Sequence, residues 1–111
     1  MISVTIERRA TDRRIVSFAI SGHAKYADRG KDIICAGVSA VSVGTVNAIE
    51  ALTKVKLPAS MKNGWLSSDI TEQSDKETDD KVQLLLESMV VMLGNIAQSY
   101  GKFVVIHEQL L

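Results

Sequence analysis

From Ile33 to Ile49 the chain runs 17 residues without a charge, and this stretch most narrows what the molecule can fold into. Ile34, Val38, Val41, Thr45, Ala48 and Leu52 recur at helical spacing, while the remaining faces carry Gly37, Ala40, Val43, Gly44 and Ala51. A helix so short of polar residues must be covered on more than one side, so the fold has to supply a layer against which it is buried. The run holds Ser39, Ser42, Thr45 and Asn47 and is shorter than the roughly 20 residues of a bilayer span, so it reads as a buried helix and no membrane partner is expected. Asp32 stands just before it, where a carboxylate can accept the first free helix N–H groups, and the spacing predicts a helix over about 33–53.

Period-two alternation supplies the layer. Ile2, Val4 and Ile6 share one face of a strand, and Val16, Phe18 and Ile20 share one face of a second. The polar segment 8–14 between them predicts a hairpin, with Arg8, Arg9, Arg13 and Arg14 at its solvated end. Residues 21–31 lose periodicity between Gly22 and Gly30, giving a loop of about ten residues, long enough to suspect function. Asn63-Gly64, between 59–62 and 65–70, is the dipeptide that two-residue hairpin turns favour, because both positions need positive φ. Ser74 with Glu77 offers a capping box for a second helix. Val82, Leu85, Leu86, Met89, Leu93, Ile96 and Tyr100 give that helix an apolar face to about Ser99, and Gly101 ends it. Residues 103–106 are β-branched enough for a last strand. The order ββαββαβ predicts an α+β fold, one domain over residues 1–111, with a mostly antiparallel sheet packed with two long helices.

Composition removes several function classes. Thirteen basic residues balance thirteen acidic ones, so no overall positive field favours nucleic acid or anionic lipid. With 46% hydrophobic residues and one proline the chain is too apolar to be disordered. Its single cysteine excludes an internal disulfide and a thiolate zinc site, and two distant histidines have no metal-ligand spacing, so neither metal nor cofactor is expected. The first ten residues lack the apolar run of a secretory leader, which predicts a cytoplasmic protein.

Cys35 falls in the predicted first turn of the long helix, where unpaired N–H groups and the macrodipole favour a thiolate, whereas the nearby Asp32 charge opposes it unless committed to capping. His23 follows a strand, twelve residues earlier. A loop returning to the helix start would bring imidazole and thiol together as base and nucleophile. Ser39 lies one turn beyond Cys35 on the same face. On residue types alone, a buried inert cysteine, a surface histidine and a packing serine are the favoured reading. Trp65 reads as core, interface or the wall of a peptide groove, and His107, in the last strand without a partner, as structural or exposed.

Ser21-Gly22-His23-Ala24, followed by Gly30-Lys31-Asp32-Ile33-Ile34-Cys35-Ala36-Gly37-Val38-Ser39-Ala40, resembles the signature of the bacterial ribosomal-processing cysteine proteases, the Prp family, and the ββαββαβ order is similar too. The resemblance implies a homodimeric cysteine endopeptidase that removes a short N-terminal extension from large-subunit ribosomal protein twenty-seven. It implies Cys35 as nucleophile, His23 as general base and acid, Asp32 and Ser39 as supporting residues, and Gly22 as a hinge beside the histidine. Residues 25–31 would then form a lid, and N–H groups around Cys35 and Ala36 an oxyanion hole. No direct contact with nucleic acid is required. The rival readings are a non-catalytic ribosome-associated assembly protein, which would use the basic hairpin, and a redox-sensing protein, which would need only the thiol.

Overall fold

A computed structural model describes residues 1–28, 32–62 and 64–111 of the chain. Strands β1 (Ile2–Arg8) and β2 (Ile15–Gly22) form the first hairpin, with Ile2 opposite Gly22 and Ile6 opposite Phe18. Ile2, Val4, Ile6 and Arg8 are buried while Ser3, Thr5 and Glu7 are half-exposed, as alternation across a strand requires. The second hairpin joins β3 (Ser60–Lys62) to β4 (Trp65–Asp69), and β4 pairs antiparallel with β2, Trp65 opposite Ser21. Asn63 of the turn dipeptide lies outside the described residues. Gly64 has φ +74, the left-handed backbone the dipeptide calls for at its second position.

Strand β5 (Val104–Leu110) pairs in parallel with β1, from Ile2 opposite Val104 to Arg8 opposite Leu110, so the sheet runs β3-β4-β2-β1-β5. Three strand pairs are antiparallel and one is parallel. β5 extends beyond the expected 103–106 because pairing with β1 holds residues 107–110, which are exposed and carry no apolar alternation to announce a strand; His107 is among them.

Helices α1 (Ile33–Thr53) and α2 (Lys76–Ser99) connect the hairpins and the last strand. Ile34, Val38 and Ile49 of α1 and Val82, Leu86, Met89 and Leu93 of α2 meet Val4, Ile6, Phe18 and Leu66 of the sheet in one core. The hydroxyls of Ser42 and Thr45, also buried on α1, donate to the carbonyls of Val38 and Val41, each at 2.7 Å, which satisfies them. α1 continues past the uncharged run, and by length and composition alone both helices are long and apolar enough to cross a membrane. The cap of α2 is Asp75, not Ser74: its carboxylate accepts the Thr78 N–H at 3.1 Å and the Thr78 hydroxyl at 2.6 Å, so the helix starts one residue later than the Ser74 capping box would have it.

The arginines between β1 and β2 depart from expectation. Arg8 is buried and grips Glu87 of α2 through both terminal nitrogens at 2.7 Å, while its Nε donates to Glu108 of β5 at 2.9 Å. Arg14, also buried, pairs with Asp79 of α2, whose other carboxylate oxygen accepts the Gln73 N–H at 2.8 Å. Arg9 bonds Asp12 and Glu72. Two of the four arginines are therefore taken out of solvent, tying three elements together because acidic residues of α2 and β5 fall opposite them, while Arg13 is exposed and Arg9 half-exposed as expected of a hairpin end.

Candidate active site

The opposite, open end of the β1–β2 hairpin faces the start of α1. Gly22 ends β2 at φ +92, and its N–H donates to the Gly64 carbonyl at 2.9 Å. A Cβ there would stand 2.3 Å from the Met1 carbonyl oxygen, so the glycine is required both by its backbone angle and by the close approach of β1. The next residue, His23, is exposed, and its carbonyl accepts the Met1 amino group at 2.6 Å. The backbone leading into the imidazole is thus fixed from β1 and from the β3–β4 turn.

Asp32 is committed to capping. One carboxylate oxygen accepts the N–H groups of Ile34 and Cys35 at 3.0 and 3.1 Å, and the other accepts those of Tyr26 and Ala27 at 3.0 and 3.4 Å. Desolvation pulls this carboxyl upward, but the four N–H groups of Cys35, Tyr26, Ala27 and Ile34 together outweigh it and hold its pKa below the ordinary value. The side chain therefore caps α1 and clamps the segment after His23 to the helix that carries Cys35. Ala24, buried within that segment, donates its N–H to the Cys35 Sγ at 3.4 Å. Tyr26 packs edge-on against Tyr100 and Phe103, with ring centroids 6.2 and 5.3 Å away. Of the expected lid, Tyr26 and Ala27 are anchored by these contacts, and Arg29, Gly30 and Lys31 lie outside the described residues.

Half-buried Cys35, His23, Gly22 and Ser39 line one cavity of about 230 Å³. Its remaining walls include Val38 and Val43 of α1 and Met61, Lys62, Gly64 and Trp65 of the second hairpin. Asp32 does not line it and acts through the backbone. Among the described residues no hydrogen bond joins His23 to Cys35. The expected oxyanion hole needs correction: the Cys35 N–H is taken by the Asp32 carboxylate, and the Ala36 N–H donates to the Asp32 carbonyl at 3.0 Å. Both groups belong to the helix cap, whereas the Ala24 N–H already points at the sulfur.

The family model for Cysteine protease Prp matches residues 1–105. The chain belongs to this family. The ribosomal processing cysteine protease Prp of Bacillus subtilis is 41% identical over 102 residues, covering 90% of each chain, and that of Staphylococcus aureus is 32% identical over 100 residues, covering 89% of this chain and 92% of its own. Among solved structures, the S. aureus Prp in complex with a covalently linked product peptide matches with a TM-score of 0.89 at 30% identity, over 98% of this chain and all of that one. The same protease with a substrate peptide matches with a TM-score of 0.83 over the same shares.

Met61, Lys62 and Gly64 are walls of this Prp-family cavity that sequence reasoning did not nominate. The Asn-Gly dipeptide foretells their hairpin, but only the pairing of β4 with β2 sets that hairpin beside His23. Trp65, exposed on the same wall, is not a core residue, and its indole N–H donates to the Ser67 hydroxyl at 3.1 Å.

Proposed function

We propose that this cysteine protease is a cytoplasmic endopeptidase that removes the N-terminal extension of large-subunit ribosomal protein twenty-seven, using Cys35 as nucleophile and His23 as its proton carrier. The observation that carries the dyad is that the chain's only thiol and His23 line one cavity, with the Ala24 N–H on the sulfur. In this reading His23 takes the Cys35 proton as sulfur attacks the scissile carbonyl carbon, then returns it to the departing amine as the C–N bond breaks. Water, deprotonated by the same imidazole, cleaves the thioester and restores the thiol. A donor already aimed at the sulfur stabilises negative charge there; with Cys35 and Ala36 committed to the cap, the Ala24 N–H and the Ser39 hydroxyl are the donors assigned to the developing oxyanion.

Several features support the peptide substrate. β3 is an edge strand whose three residues are all exposed, so an extended segment can pair beside it and direct alternate side chains into the cavity walled by Met61 and Trp65. The S. aureus relative has been solved with a substrate peptide and with a covalently linked product peptide, which fits covalent catalysis. A homodimer is part of the proposal, because Leu84, Val91 and Met92 are exposed on α2, and Met92 borders an apolar groove of about 320 Å³ shared with Val41, Gly44 and Ala48 of α1. Light scattering should report about twice the 12.1 kDa chain mass. The ribosome-associated assembly reading has less to use than the sequence offers, since Arg8 and Arg14 of the basic hairpin are buried in ion pairs, leaving Arg9 and Arg13 at the surface.

A peptide copying the extension, incubated with the protein and analysed by mass spectrometry, tests the substrate. One cut that removes the extension is expected. An intact peptide beside a protein whose thiol reacts normally would remove this substrate while leaving the protease assignment in place.

A further inference from the structure

Gly64 makes a contact that its place in a turn does not require. An ideal Cβ on this residue would stand 2.7 Å from the His23 Nε2 and 2.9 Å from its Cε1, so the imidazole lies where any other residue would place its side chain. The same residue accepts the Gly22 N–H at 2.9 Å, immediately before the histidine. We infer that Gly64 is a positioning residue for His23: its bare Cα is the seat of the imidazole, and the β3–β4 hairpin, which walls the cavity through Met61, Lys62 and Trp65, thereby sets where the base stands relative to Cys35. The inference rests on the dyad proposed above.

The two glycines beside His23 differ in what would yield. At Gly22 the obstacle to a Cβ is the Met1 backbone, which cannot move without disturbing β1. At Gly64 it is a side chain on an exposed residue, so the imidazole gives way, and what alanine adds besides is the strain of φ +74. A plain turn glycine predicts something else: asparagine, which adopts positive φ readily, should replace it without consequence.

The rate of Cys35 alkylation by iodoacetamide against pH reads the thiol and its imidazole without any substrate. Gly64→Ala and Gly64→Asn should both give the profile of His23→Ala, lower kcat for peptide cleavage by at least about 100-fold, and cause no further loss when combined with His23→Ala. A parental alkylation profile in folded Gly64→Asn would overturn the inference alone, leaving the dyad standing. Coincident profiles for the parent and His23→Ala would overturn dyad and inference together. If Gly64→Ala does not fold, recovery of folding in Gly64→Ala/His23→Ala supports the clash with the ring, and Gly64→Asn, which tolerates positive φ, then decides: a parental profile in it overturns the inference.

Discussion

The two ends of the first hairpin use their polar groups in opposite ways. At the closed end, Arg8 and Arg14 are buried and their charges are met by Glu87, Glu108 and Asp79. At the open end, His23 is exposed, Cys35 is half-buried, and what surrounds them is backbone: Met1 on the His23 carbonyl, Ala24 on the sulfur, and four N–H groups on Asp32. Density of charge marks the structural end, whereas the reactive end keeps its side chains free and spends main-chain hydrogen bonds to hold them in place. Catalysis gains from groups already positioned, and a group locked in an ion pair is not available to react.

Substitutions at the two ends should therefore separate activity from stability. The largest effect falls at the open end: Cys35→Ala should abolish peptide cleavage, and His23→Ala should lower kcat by roughly 10²- to 10⁴-fold, both with thermal unfolding close to the parent. At the closed end, Arg14→Ala leaves the Asp79 carboxylate buried without its partner and should cost roughly 3–5 kcal/mol in urea unfolding, with turnover per folded molecule unchanged. A loss of kcat in Arg14→Ala beyond its unfolded fraction would erase the contrast. Gly22→Ala should lose stability on the order of 1–3 kcal/mol, because both φ +92 and the Met1 carbonyl oppose a Cβ, so any loss of activity is accompanied by loss of fold.

The smallest effect is a pH dependence at Asp32. Its folded pKa is depressed, so its contribution to stability is complete above the ordinary carboxylate range near about 4 and disappears as pH falls through the lower folded value. Hydrogen exchange of the Tyr26, Ala27, Ile34 and Cys35 amides should accelerate below that range relative to the intrinsic rate. In Asp32→Ala they should be less protected at neutral pH, with no such transition; unchanged protection would show that the clamp holds nothing.

Much of this architecture is written in local patterns. The alternation at Ile2, Val4 and Ile6, the uncharged run to Ile49 and the Asn-Gly dipeptide each specify their own element, because side-chain period and turn chemistry act over a few residues. The GHA triplet and the Asp32–Cys35 spacing carry the family resemblance instead, a likeness of sequence and not a local rule of folding, and His23 and Cys35 do line one cavity. What stays hidden depends on partners distant in the chain. Four arginines in a short segment look solvated until Asp79, Glu87 and Glu108, more than 60 residues away, are placed opposite two of them. The parallel pairing of β5 with β1, and the place of Gly64 under the His23 ring, likewise follow only from the strand order.

The central claim is that the free thiol at the open end carries the peptide through a covalent step. Intact-mass analysis of the chain, acid-quenched during turnover of the extension peptide, tests it most directly. The account predicts an adduct equal in mass to the N-terminal fragment less one water, located on Cys35 and absent from Cys35→Ala. Product accumulating at the parental rate with Cys35→Ala, and no adduct on the parent chain, would contradict it.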